Sequence, residues 1–309
     1  MAEAVTNGQP VKLEIHDDRF RPLVQANALL ETLGEGFGWL EGPVWFADHR
    51  RLYVSDLPAD RILAWSPGAG VSTFLTPAGF PNGKARDREG RLLVCSHRDR
   101  CIYRVELDGA RTVVADRHAG KRLNAPNDIC RAPDGAIWFT DPIYGLQDVY
   151  EGGRAQSEQR PAVYRLDASG VGLRAMATDF TGPNGLAFSP DGRVLYVAET
   201  GDQYAAEPER CIRRFAVGEG GALSGGEEFA RVSPGYADGF RVDEGGRVWT
   251  GAGDGVHCLD PSGALLGKIL TPWSVQNLCF GGRGGAQLFL CASHTLAAVF
   301  VNTRGAVIA

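Results

Sequence analysis

Residues 184–197 read NGLAFSPDGRVLYV: an Asn-Gly pair opens an apolar run, Pro190-Asp191-Gly192 interrupts it, and a second apolar run follows. This is the pattern of strand, turn, strand, with Gly192, eight positions after Asn184, supplying the positive φ that the bend requires. The phrase returns elsewhere as EGPVWFADHRRLYV from Glu41, NGKARDREGRLLVC from Asn82, NDICRAPDGAIWFT from Asn127, DGFRVDEGGRVWTG from Asp238 and NLCFGGRGGAQLFL from Asn277. Gly stands at the eighth position in five of the six (Gly90, Gly135, Gly192, Gly246, Gly285); the phrase opened by Glu41 lacks it.

Copies of strand-turn-strand spaced roughly 40 to 57 residues apart match the period of propeller blades. The expected fold is therefore all-β, a six-bladed β-propeller forming a single domain over residues 1–309. Its blades are expected at about 39–76, 81–116, 126–178, 183–232, 237–270 and 275–305. Propellers remove their exposed edge by completing one terminal blade with a strand from the other terminus, and the Leu29–Leu33 stretch is placed to do this. Six blades around one axis bring Glu41, Asn82, Asn127, Asn184, Asp238 and Asn277 to one mouth of the central channel. Blades three and four carry polar insertions, 144–161 and ETGDQYAAEPER from Glu199, which serve as functional loops or as surface decoration.

The chain has 309 residues, 44% hydrophobic, enough for one large β domain. No run approaches the ~18 apolar residues of a membrane-spanning helix, and the N-terminal twenty lack a secretory layout. A net charge of −5 without a basic block argues against nucleic-acid and anionic-membrane partners. The seven cysteines form an odd set without CxxC spacing, which reads as buried thiols of a cytoplasmic protein. There is no GxSxG elbow, HExxH pair or Walker loop. The glycines at 251, 253 and 255 are followed by no helical pattern, so a dinucleotide's pyrophosphate would find no helix terminus. His97 and His294 end strands and are within reach of the channel.

Glu41, Asn127, Asn184 and Asp238 together offer two carboxylates and two amide carbonyls. Such an all-oxygen set of charge −2 suits a divalent cation, Ca²⁺ first, with Mg²⁺, Mn²⁺ or Zn²⁺ as alternatives. Asn and Asp at strand starts also cap turns by bonding their own backbone. Glu41 fits that role poorly, because Glu is a weak Asx-turn former.

The phrases LEGPVW, LNAPNDI followed by PDGAIWFTDPIYG, GPNGLAFSPDG and YADGFRVDEGGRVWTGAGDGV closely resemble the senescence marker protein, gluconolactonase and luciferin-regenerating enzyme family, over roughly residues 35 to 300. The resemblance implies a six-bladed propeller whose divalent cation is held by Glu41, Asn127, Asn184 and Asp238. It implies hydrolysis of a sugar lactone, with Asp238 as the base toward water. Animal members resembling this family carry an Arg where this chain has Ala125, and many relatives have Ser or Cys where Ala237 precedes Asp238. The EGGRAQSEQRP stretch looks like the bacterial sugar-lactonase branch.

Asn82, His97 and Asn277 are expected to contact substrate hydroxyls. The resemblance also reaches propeller phosphotriesterases, which use a similar four-oxygen calcium site. Polar Asn82, Lys84, Arg86 and His97 favour a sugar if they face the pocket, and Trp273 fits core, wall or stacking platform equally. A third possibility is a non-catalytic calcium-binding or protein-binding propeller, since fold alone does not fix function.

Overall fold

The computed structural model describes residues 8–307. Six antiparallel sheets follow one another along the chain and form the blades of a six-bladed propeller. Blade 1 comprises Leu40–Phe46, Arg51–Asp56, Arg61–Ser66 and Gly70–Leu75; blade 2, Pro81–Arg86, Leu92–Ser96, Cys101–Val105 and Arg111–Ala115. Blade 3 runs through Ile129–Arg131, Ile137–Asp141, Ala162–Leu166 and Arg174–Ala177, and blade 4 from Pro183–Phe188 to Leu223–Ala230. Blade 5 spans Phe240–Val242 to Leu265–Leu270 and gains Lys12–Ile15 as a fifth strand. Blade 6 has three strands of its own, from Asn277–Gly281 to Thr295–Phe300. Its fourth strand is Leu29–Glu35, antiparallel to Thr295–Phe300, and Gly8–Pro10 follows outside it.

The second strands are near-continuous apolar runs because both of their faces are covered. In Leu92–Ser96, Leu92 and Val94 pack against blade 1, while Leu93 and Cys95 pack against blade 3. The core is accordingly six apolar layers, each wedged between two adjacent blades. The turn glycines adopt the expected left-handed conformation: Gly90 at φ 82°, Gly135 at 85°, Gly192 at 69°, Gly246 at 77° and Gly285 at 74°. In blade 1, which has no such glycine, Arg50 takes the positive φ, 48°.

The glycine that follows a marked residue has a different purpose. A Cβ on Gly42 would lie 2.2 Å from the Asn82 carbonyl oxygen, one on Gly83 2.4 Å from that of Asn127, and one on Gly185 2.2 Å from that of Asp238. Inner strands of neighbouring blades thus meet backbone to backbone, and Gly83 N and Gly185 N donate to the Asn127 and Asp238 carbonyls at 2.7 and 3.0 Å. The pairing register slips at the same places, between Glu41 and Val44, Pro81 and Lys84, and Pro183 and Leu186. Bulges of this kind re-aim a side chain, here those of Glu41, Asn82 and Asn184.

All seven cysteines are free thiols, six of them buried and Cys130 partly so. Among the described residues no helix is long and apolar enough to cross a membrane.

Candidate active site at the channel mouth

Glu41, Asn82, Asn127, Asn184 and Asn277 are buried, and Asp238 is half-buried with its carboxyl enclosed. Glu41 Oε2 accepts from its neighbour Gly42 N and from Asn277 Nδ2, each at 2.9 Å. Asn184 donates to the Asp238 carboxylate. Neither Glu41 nor Asp238 takes part in an ion pair among the described residues. Burial pushes the Glu41 carboxyl up to about 7. Burial also holds Asp238 well above the usual carboxylate range, and the charges of Glu41 and Glu151 add to the effect.

Beneath the mouth, the buried Lys84 ammonium donates to Ser55 Oγ, to the Asn82 carbonyl at 2.9 Å and to the Glu41 carbonyl at 3.5 Å. Burial lowers its pKa to about 7. Lys84 therefore braces the backbone of two marked positions and does not line the pocket wall. Arg86 stands four residues beyond Asn82, ~13 Å along the strand, and pairs with Asp48 at the other end. The sequence-based grouping of Lys84 and Arg86 with Asn82 and His97 on one pocket wall is thus not met. Trp273 packs against the apolar layer between blades 5 and 6, and His294 is exposed with Nδ1 2.9 Å from the Phe37 carbonyl.

His97 is fully buried and engaged at both ring nitrogens, Nδ1 with the Glu151 carbonyl at 2.9 Å and Nε2 with Asn82 Nδ2 at 3.2 Å. Because a carbonyl only accepts, Nδ1 carries the proton and Nε2 accepts from Asn82. Burial lowers the His97 pKa to about 4, consistent with that neutral tautomer. Asn82 Oδ1 has no hydrogen-bond partner among the described residues. Asn277 is committed at both ends of its amide, since its Oδ1 accepts from Leu278 N at 2.9 Å.

The 144–161 insertion supplies a residue that sequence reasoning missed. Glu151 is half-buried near Glu41 and Asp238, and partial desolvation, followed by the charge of Asp148, raises its pKa to about 7. Its segment is anchored on several sides. Gly145 and Gly152 pack on His97, Arg98 Nε donates to the Gly152 carbonyl at 3.0 Å, and Tyr150 OH reaches the Gly38 carbonyl at 3.4 Å. Gln203 and Tyr204 of the blade 4 insertion bind Gln147 and Asp148. Tyr236, beside Asp238, has its phenol pushed up to about 12 by that carboxylate and by burial.

Fold and site together define a class: a β-propeller with a buried cluster of acids and amides at the mouth of its channel. The chain belongs to the SMP-30/Gluconolactonase/LRE-like family, whose region matches residues 39–294. It is 32% identical to a gluconolactonase of Zymomonas mobilis, over 97% of this chain and 89% of that protein. Identity to a pentonolactonase of Haloferax volcanii is 30%, over 81% of this chain and 80% of the relative. A solved gluconolactonase from Xanthomonas campestris superposes with a TM-score of 0.89 at 38% identity, covering 95% and 97% of the two chains.

Proposed function

We propose that this chain hydrolyses a sugar lactone, of the aldonolactone class, at the mouth formed by Glu41, Asn127, Asn184 and Asp238, with a divalent cation bound there. It is a lactone-hydrolysing enzyme, and sugar lactones are the substrates named for its relatives. The observation that supports the site is a pair of enclosed carboxylates, with the charge of Glu41 acting on Asp238, the Asn184 amide donating to Asp238, and no ion pair on either acid among the described residues. Uncompensated buried charge is costly, so a hard cation fits this donor set. When bound, the cation supplies countercharge and Lewis acidity toward a lactone carbonyl.

The chain's residues have separable tasks. Asp238 takes a proton from the attacking water as its oxygen bonds the carbonyl carbon, and that proton passes to the ring oxygen as the C–O bond breaks. Glu41 contributes the second negative charge, while Asn127 and Asn184 contribute neutral oxygens. Asn82 accepts a substrate hydroxyl through its Oδ1. His97 acts on substrate through Asn82, and Asn277 acts through Glu41. The pairing of Leu29–Glu35 with the last strand supports a propeller clasped by its N-terminal segment as one domain.

The test is hydrolysis of gluconolactone, galactonolactone, arabinonolactone, xylonolactone and diisopropyl fluorophosphate by metal-stripped protein, with Ca²⁺, Mg²⁺, Mn²⁺ or Zn²⁺ restored. Metal-dependent turnover of a lactone, lost in Asp238→Asn while metal still binds, is expected. Turnover of the phosphofluoridate alone would replace the lactonase reading. Full lactonase rate in Asp238→Asn would remove the base assignment.

A further inference from the structure

The far end of the channel holds a second cavity that lactone hydrolysis does not use. It measures about 930 Å³ and lies among the distal ends of the inner strands, with Trp45, Ile129, Leu186 and Phe280 in its walls. Mostly apolar walls with a few convergent polar groups are the usual composition of a small-molecule pocket. Its charged lining is one-sided: Arg86, Arg131, Arg241 and Arg304 face one acid, Glu244, in a chain of net charge −5.

Several of these guanidiniums retain unused donors. Among the described residues Arg241 donates only through Nη1, to the Phe240 carbonyl at 2.7 Å and to Asp128 Oδ2 at 3.4 Å. Arg86 gives Nη2 to Asp48, while its buried Nε has no partner among the described residues. Arg304 makes no side-chain ion pair among the described residues. The Lys84 ammonium is turned toward the upper site, so the two ends of the channel are separated by a layer containing Lys84, Asp128 and Arg241.

We propose that this cavity binds a small organic acid, its carboxylate held by the Arg86, Arg241 and Arg304 guanidiniums and its hydrocarbon body laid against Trp45, Leu186 and Phe280. Guanidinium forks match a carboxylate in two-point geometry, which gives the anion its place. The apolar walls select an acid with an apolar body over a fully hydrated one.

The test is calorimetric titration of the full-length protein with hexanoate, and with hexanamide, gluconate and inorganic phosphate as comparisons. Saturable binding of one hexanoate is expected, with hexanamide inert and both gluconate and phosphate weaker. Arg86→Gln and Arg304→Gln should each weaken hexanoate about tenfold, the usual scale for one charge-assisted contact. Both side chains reach solvent, so the variants should keep the wild-type Tm. Hexanoate binding should also persist in Asp238→Asn, which separates this site from the hydrolytic one. Absence of saturable binding, equal binding of hexanamide, loss in Asp238→Asn, or wild-type affinity in both Arg variants would overturn the proposal. Gluconate or phosphate binding as tightly as hexanoate would overturn the apolar-body selection.

Discussion

Asn277 Nδ2 donates to Glu41 Oε2 at 2.9 Å, joining the innermost strand of the last blade to that of the first. The contact fixes one of the two acids among the six marked positions, and it holds that acid toward its ionised form.

Replacing Asn277 should therefore act through Glu41. Asn277→Ala removes the donor and should weaken divalent-cation binding by about 10- to 100-fold, the range for groups that orient a ligand. At saturating metal most of kcat should return. A metal titration followed by rates at high metal checks this, and unchanged affinity would show that Glu41 needs no such support.

Gly185 tests the closeness of the inner strands. A methyl group there would press 2.2 Å from the Asp238 carbonyl oxygen, displacing the backbone of Asn184 and Asp238 at once. Gly185→Ala should lower stability by about 1–3 kcal/mol, as overpacking does, and reduce metal affinity in step. Urea unfolding and metal titration of the same preparation report both effects.

His97→Phe keeps an aromatic ring but deletes the bonds to Asn82 and to the Glu151 carbonyl. The 145–155 segment should exchange its amides faster, with a local cost of about 1–3 kcal/mol for the unsatisfied carbonyl. KM for lactone should rise more than kcat falls. Hydrogen exchange on wild type and variant would reveal whether His97 is the anchor.

Glu151 gives a pH signature in metal-free protein. Its folded-state pKa is raised from 4.5 to about 7, so folding favours the protonated form. That stabilisation is complete below the unfolded value and disappears as pH rises through 7. Wild-type Tm should therefore fall relative to Glu151→Gln across this window, because Gln stays neutral. Tm measured for both proteins between pH 4.5 and 7.5 decides it, and parallel curves would refute a half-buried, charge-sensitive Glu151.

The blades were legible because turn chemistry is local: five glycines placed by spacing alone all take positive φ. The place of the six marked residues, each within two positions of the start of its blade's inner strand, followed from the repeat. Their individual partners did not. The bulges at Glu41, Asn82 and Asn184 break strict alternation, so the direction of Lys84 two residues past Asn82 could not be read by counting. The commitment of Asn277 to Glu41 links positions 236 apart in sequence. Glu151 lies in an insertion that shares no phrase with the repeat. The only hint was the length of that insertion, which marks a loop without saying which of its acids turns inward.

The N-terminal segment has a consequence for how the protein is made. Lys12–Ile15 edges blade 5 and Leu29–Glu35 pairs with Thr295–Phe300, so these two strands are made well before the partners they pair with. During translation these strands must wait, unpaired, while most of the chain emerges. Pairings of such long range are slow to form and leave sticky edges exposed meanwhile. Ribosome-bound intermediates should therefore depend on chaperones until the last blade has left the exit tunnel.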